Sequence, residues 1–171
     1  MKNIFILLLT ILTFSSCDDG DITLESFNFE DQTIQECTDN TLIFKTKNDE
    51  LLLISLPEST FTTAFEGAPT NGTPRTVTIG ESNKIIYRKY TGTVSNLTVC
   101  STIPVSSPTV VKEWNATGGT ISIETNEVYD TNNVLDKYSH NITFLNVNFT
   151  STDNSFSFVS YIFGDYEIDA N

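Results

Sequence analysis

At 171 residues the chain suits one domain built around one core, and it contains no long linker and no internal repeat. Its 22 acidic side chains outnumber 9 basic ones, for a net charge of −13. A surface of that sign repels nucleic-acid phosphates and anionic lipid headgroups, which excludes a nucleic-acid partner.

The first element is the opening segment MKNIFILLLTILTFSSC. One lysine, an apolar and threonine run over residues 4–14 and two small serines ahead of Cys17 form the n-region, h-region and cleavage plan of a secretory signal peptide. The 11-residue run is also short of the roughly 20 residues that a spanning helix needs. Residues 1–16 are therefore read as a cleaved signal and set aside from the fold.

The motif Phe14-Ser15-Ser16-Cys17 resembles the lipobox of bacterial lipoproteins, with phenylalanine in place of the commoner leucine, a variation found in Bacteroidota lipoproteins. The resemblance implies cleavage before Cys17 and lipid attachment to it. Two or more acyl chains hold a domain on a membrane where one chain binds only reversibly. The competing reading is an ordinary secreted protein with a chance cysteine. Asp18, Asp19 and Asp21 resemble the acidic export signals that send Bacteroidota lipoproteins to the outer face of the outer membrane; read without that resemblance, residues 17–21 form a solvated acidic tether. The localisation expected is the outer membrane at the cell surface, with a periplasm-facing location as the alternative.

Loss of Lys2 with the signal leaves 8 basic against 22 acidic residues, a mature charge of −14. With Cys17 lipidated, Cys37 and Cys100 remain as a pair in an oxidising compartment, so a disulfide between them is expected; two buried free thiols are the alternative. In the chain-entropy model a bridge closing such a loop contributes about 4 kcal/mol.

From residue 22 onward helical periodicity is nearly absent, and short β-branched and aromatic runs bounded by Asn, Gly, Asp and Pro recur. TLIFKTK and LLLISLP flank the polar NDE, so residues 41–57 read as a hairpin. Residues 65–75, marked by Pro and Gly, read as a loop. Strands are then predicted at TVTI, KIIYRKY, NLTVCST, TVVKEW, TISIETNEVY, KYSHNITFLNVNF and SFSFVSYIF. Ile121, Ile123 and Thr125 alternate with Ser122 and Glu124, the mark of one buried and one wet face.

The last two runs break that alternation. Leu145, Val147 and Phe149 oppose Ile142 and Phe144 in parity, and Phe156 and Phe158 oppose Val159, Tyr161 and Phe163. Strands covered on both faces, or bulges near Phe144 and Val159 that flip the register, both account for this. A final hairpin turned by STDN is expected at the centre of its sheet. About nine strands with tight turns predict a single all-β domain over residues 22–171, an antiparallel β-sandwich, with a small β-barrel as the alternative.

The body is similar to short flavobacterial lipoproteins that carry, in order, a YR strand, a CSTIP-like segment and an EW…TGGTI.I.T strand; here these are Tyr87-Arg88, residues 100–104 and residues 113–125. That resemblance covers the middle third and implies no activity.

Candidate chemistry is sparse. His140, the single histidine, shares parity with Ile142 and Phe144 and reads as a strand residue at the end of an apolar face. No G-x-S-x-G elbow singles out a nucleophile to partner it, and one histidine cannot supply a zinc site. Asp130, Asn132, Asn133 and Asp136, and separately Glu36 and Asp39, offer oxygens to calcium, but neither group follows the EF-hand loop and turn chemistry explains both. No metal or cofactor is therefore expected. Five N-x-T tripeptides, at Asn71, Asn96, Asn115, Asn141 and Asn148, are assigned no role.

Trp114 in KEWNATGG is read in two ways: as a core residue, or, widened by Tyr87, Tyr90 and Tyr129, as an aromatic platform for a glycan. The expectation for the whole is a membrane-anchored envelope lipoprotein acting as a non-enzymatic interaction or accessory module with an envelope protein partner. A surface glycan-binding module is the alternative, and a glycoside hydrolase-like enzyme using paired carboxylates is third.

Overall fold

The computed structural model describes residues 27–38 and 40–170. Cys17, Asp18, Asp19 and Asp21 therefore lie outside the described residues, as does Asp39. In chain order the elements are β1 (Gln35–Glu36), β2 (Leu42–Lys47), β3 (Glu50–Ser55), α1 (Glu58–Ala64), β4 (Arg75–Thr78), β5 (Lys84–Tyr90), α2 (Asn96–Cys100), β6 (Val110–Tyr129), β7 (Leu135–Thr150) and β8 (Ser155–Asp169). All eight strands join one antiparallel sheet in the order β1-β2-β3-β5-β6-β7-β8, with β4 as a second partner of β6. The antiparallel all-β expectation holds, and the sheet curls into a half-barrel. The curl brings its ends together: the Tyr166 hydroxyl of β8 donates to Glu36 of β1, and Lys45 of β2 lies 5.6 Å from the centroid of the Phe163 ring.

The hollow of the half-barrel holds the main core, contributed by inward positions of most strands, among them Ile43, Leu52, Ile54, Tyr87, Trp114, Ile121, Ile123, Phe144 and Phe163. Its open seam is plugged by the segment ahead of β1. Phe27 and Phe29 are buried there, and the Phe27 ring packs against Phe29, Tyr87, Phe149, Phe156, Phe158 and Tyr161 at centroid distances of 4.9 to 5.6 Å. Fully burying a side chain of this size contributes about 1.5–3 kcal/mol. The plug is fastened by the Tyr161 hydroxyl, which accepts from the Phe29 N–H at 3.0 Å, and by Lys45 Nζ, which donates to the Phe29 carbonyl at 3.0 Å. A smaller cluster of Cys37, Phe44, Leu51, Leu53, Ile86, Tyr90 and Val94 covers the other face of β2 and β3, which is why LLLI in β3 is buried without alternation.

The predicted hairpin over residues 41–57 is β2–β3, and the STDN turn joins β7 to β8. Other expectations need correction. NLTVCST contains a five-residue helix, because Ser95 and Thr98 close a reciprocal cap and the Cys100 disulfide ties down its last residue. TVVKEW and TISIETNEVY belong to one 20-residue strand, β6, whose pairing shifts register at residues 116–120. The short β1 brings the count among the described residues to eight.

Helix α1 was not expected. It begins after Pro57, whose φ of −58° suits a helix start, and carries Phe61 and Ala64 toward the core, followed by the buried Phe65. Its outward threonines, Thr62 and Thr63, donate back to the carbonyls of Glu58 and Ser59.

The final hairpin is not central: β7 is internal but β8 is an edge. The broken alternation comes from bulging rather than from double coverage. Asn146 adopts a φ of 52° between Phe144 and Val147, so both reach the same core although they are three residues apart. Opposite Asn146, β8 makes the same step at Val159, which is exposed while Phe158 and Tyr161 on either side reach the core, and Gly164, with φ 122°, adds a further flip between Phe163 and Tyr166.

Candidate binding groove

β4 is the structural consequence of a strand that outlives its neighbour. β5 pairs with β6 at residues 110–115, and further along the same edge β4 takes over, pairing Arg75 with Ile123 and Thr78 with Thr120. Nothing pairs with the far edge of β4 among the described residues. The pattern Arg75-Thr76-Val77-Thr78 sends Val77 into the core and leaves Thr76 and Thr78 exposed. Alternation fixes the backbone as well. The N–H of Ile79 donates to the Gly119 carbonyl, so residues of that parity, Arg75 and Val77, face β6, and the peptide groups of Thr76 and Thr78 face away from it.

Beside this free edge runs a groove of about 590 Å³, walled on one side by Ser59, Thr60, Thr63 and Ala64 of α1 and on the other by all four residues of β4, with Asn83 at one end. Asn83 donates from Nδ2 to the outward carbonyl of Thr78 at 2.9 Å, while its Oδ1 is buried without a partner. Three outward groups of the edge remain: the N–H and C=O of Thr76 and the N–H of Thr78.

The charge in the groove is already spoken for. Arg75 donates from Nε to Glu66 at 3.1 Å, from Nη1 to the Thr125 hydroxyl at 2.7 Å and from Nη2 to the Ala68 carbonyl. The Thr125 hydroxyl, having accepted from Arg75, has its own proton for Nδ1 of His140, 2.8 Å away. That arrangement puts the ring proton on Nε2, which is buried without a partner. His140 is fully buried, and desolvation, followed by the positive charge of Arg75, lowers its pKa to about 4. It is therefore a neutral member of the wall behind the groove, packed edge-on against Phe65.

The aromatic platform is ruled out by burial. Trp114 and Tyr87 have no exposed surface and Tyr90 keeps only 7%. Trp114 lies 5.0 Å from Tyr87 in the core and donates its indole N–H to Asn154 of the β7–β8 turn at 2.7 Å. The Tyr87 hydroxyl donates to the buried Glu50 carboxylate at 2.6 Å, and desolvation and that carboxylate raise its pKa far above the ordinary phenol value. None of the three offers a ring face to a sugar; Tyr129 is half-exposed but pairs with Glu127 at the distant end of β6.

The calcium candidates resolve into turn chemistry. Asp130 Oδ1 accepts from the N–H groups of Asn132 and Val134, each at 2.8 Å, and these bonds hold its carboxyl below the ordinary range, the Val134 bond foremost. Glu36 accepts from Tyr166. Among the described residues no group of three or more His, Cys, Asp or Glu side chains is placed to hold a metal ion. The sulfur atoms of Cys37 and Cys100 are bonded, linking residues 63 positions apart beneath α2.

The fold and groove together define an all-β half-barrel with a helix-walled free strand edge. No protein-family model, no curated protein and no solved structure matches the chain. Sequence reasoning missed the groove because it lies between an unexpected helix and a four-residue strand. The available signals were Pro57-Glu58 ahead of Phe61, Ala64 and Phe65, and the hydroxyl-rich ESTFTT.

Proposed function

We propose that this protein is a lipid-anchored lipoprotein of the cell envelope that acts as a non-enzymatic interaction module. The groove between α1 and the free edge of β4 carries the interaction reading: it is open, its one cation, Arg75, is paired with Glu66, and it displays backbone groups unused among the described residues. The anchor rests on the lipobox-like residues ending at Cys17, and the Cys37–Cys100 bond supports an oxidising compartment while leaving Cys17 for the lipid. Acidic residues behind Cys17 support display at the outer membrane surface. Phe27, the first described core residue, follows Cys17 by ten positions (27 − 17), a reach of at most about 35 Å when fully extended. The domain would therefore work close to the membrane.

Two measurements test the reading. Cys17→Ala should move the protein from the membrane fraction to the soluble fraction of the envelope; retention of that variant in the membrane overturns the anchor. Reversible cross-linking on intact cells, followed by purification from detergent and mass spectrometry, should return one near-stoichiometric envelope protein. Recovery of the protein alone overturns the accessory role.

A further inference from the structure

Resting on that interaction reading, we infer that the α1–β4 groove is a receptor for an extended polypeptide segment, which adds as a strand to the free edge of β4 with its side chains lying along α1. Three observations lead there. The outward N–H and C=O of Thr76 and the outward N–H of Thr78 form the hydrogen-bonding half of a ladder with no partner among the described residues, and another polypeptide backbone repeats donors and acceptors at that spacing. The groove is the right size: β4 is four residues long, about 13 Å at strand rise, and the space beside it is about 590 Å³. One wall is a helix, so the added strand is seated between a strand edge and a helix rather than left on an open edge.

The lining says what kind of segment fits. Ser59, Thr60, Thr63, Thr76 and Thr78 present hydroxyls and methyl groups with no large apolar pocket, which suits small and β-branched side chains. Glu58 opens α1, Glu66 follows that helix and Glu81 follows β4, so acidic residues flank the groove without lining it; Arg75 is paired with Glu66, and the chain as a whole carries −13. An uncharged or basic segment is favoured and an acidic one repelled.

The test uses the purified, oxidised protein and a displayed library of random dodecapeptides. The expected result is enrichment of sequences rich in Val, Thr, Ile and Lys that bind as synthetic peptides. Thr76→Pro removes an outward N–H and blocks the edge without costing a ladder bond to β6, a position where proline is accepted. Thr63→Trp fills the groove from the exposed side of α1. Each variant should weaken peptide binding by about tenfold or more. N-methylation of alternate peptide residues should abolish binding at one parity and spare it at the other.

Failure to enrich any peptide, equal binding by both variants, or indifference to N-methylation overturns the proposal. Circular dichroism checks that Thr76→Pro is folded; if it is not, Thr63→Trp and the N-methylated peptides carry the test. An envelope partner that cross-links equally to Thr76→Pro would leave the accessory role standing and remove this groove as its seat.

Discussion

His140 is kept neutral by its surroundings, and that has a measurable cost. Its folded pKa, about 4, lies below the value of about 6.5 it takes in an unfolded chain. Between these values the unfolded state binds the proton and the folded state does not, so stability is full above pH 6.5 and falls as the pH drops toward 4. The loss between pH 7 and pH 5 is about 2 kcal/mol from this residue. Urea denaturation at the two pH values should show it, and His140→Gln should flatten that part of the profile. An unchanged slope in the variant would mean that the histidine is already wet or charged at neutral pH. The residue's surroundings were legible in part: parity with Ile142 and Phe144 placed it on the apolar face, but nothing in one strand announces that Arg75 and Thr125 from two others will close over it.

At the scale of elements, β6 and β7 meet at a point where both depart from regularity. Gly119, with φ 113°, faces the Asn146 bulge so closely that a Cβ there would stand 2.7 Å from the Asn146 carbonyl oxygen and 2.8 Å from that of Leu145. Gly119→Ala should therefore lower stability by about 1–3 kcal/mol, read as a shift of the denaturant midpoint. An unmoved midpoint would show that the bulge relaxes freely. Alternation in ISIET and the broken alternation of the last two runs were visible from residue types alone, because a period of two depends only on neighbours along the chain. Which strand pairs with which was not, since β4 and β5 take successive stretches of one edge of β6 through contacts distant in sequence. Helix α2 is hidden for a related reason: the β-branched Thr98 and Val99 favour extended backbone, and five residues are too few for an isolated helix. The cap at Ser95 and the bond at Cys100 override that preference.

For the molecule as a whole, the Cys37–Cys100 bond ties the start of the sheet to α2 across 63 positions and covers the second apolar cluster. In the chain-entropy model its removal costs about 4 kcal/mol. Denaturation with and without reductant should show a drop of that order, and amide exchange should report α2 opening before the rest of the fold. Equal midpoints under the two conditions would mean that the cluster beneath α2 holds without the bridge.

The half-barrel is closed on its open side by a plug rather than by a strand pair, and Phe27 in that plug is the first described residue. Any pull delivered from residues ahead of Phe27 reaches two rings wedged among the densest aromatic contacts of the protein, together with the side-chain bonds from Tyr161 and Lys45 to Phe29. Such a load strains several dispersed contacts at once instead of unzipping one ladder bond after another. The first event under that load is extraction of Phe27 and Phe29, which would open the seam while β2 to β8 stayed paired.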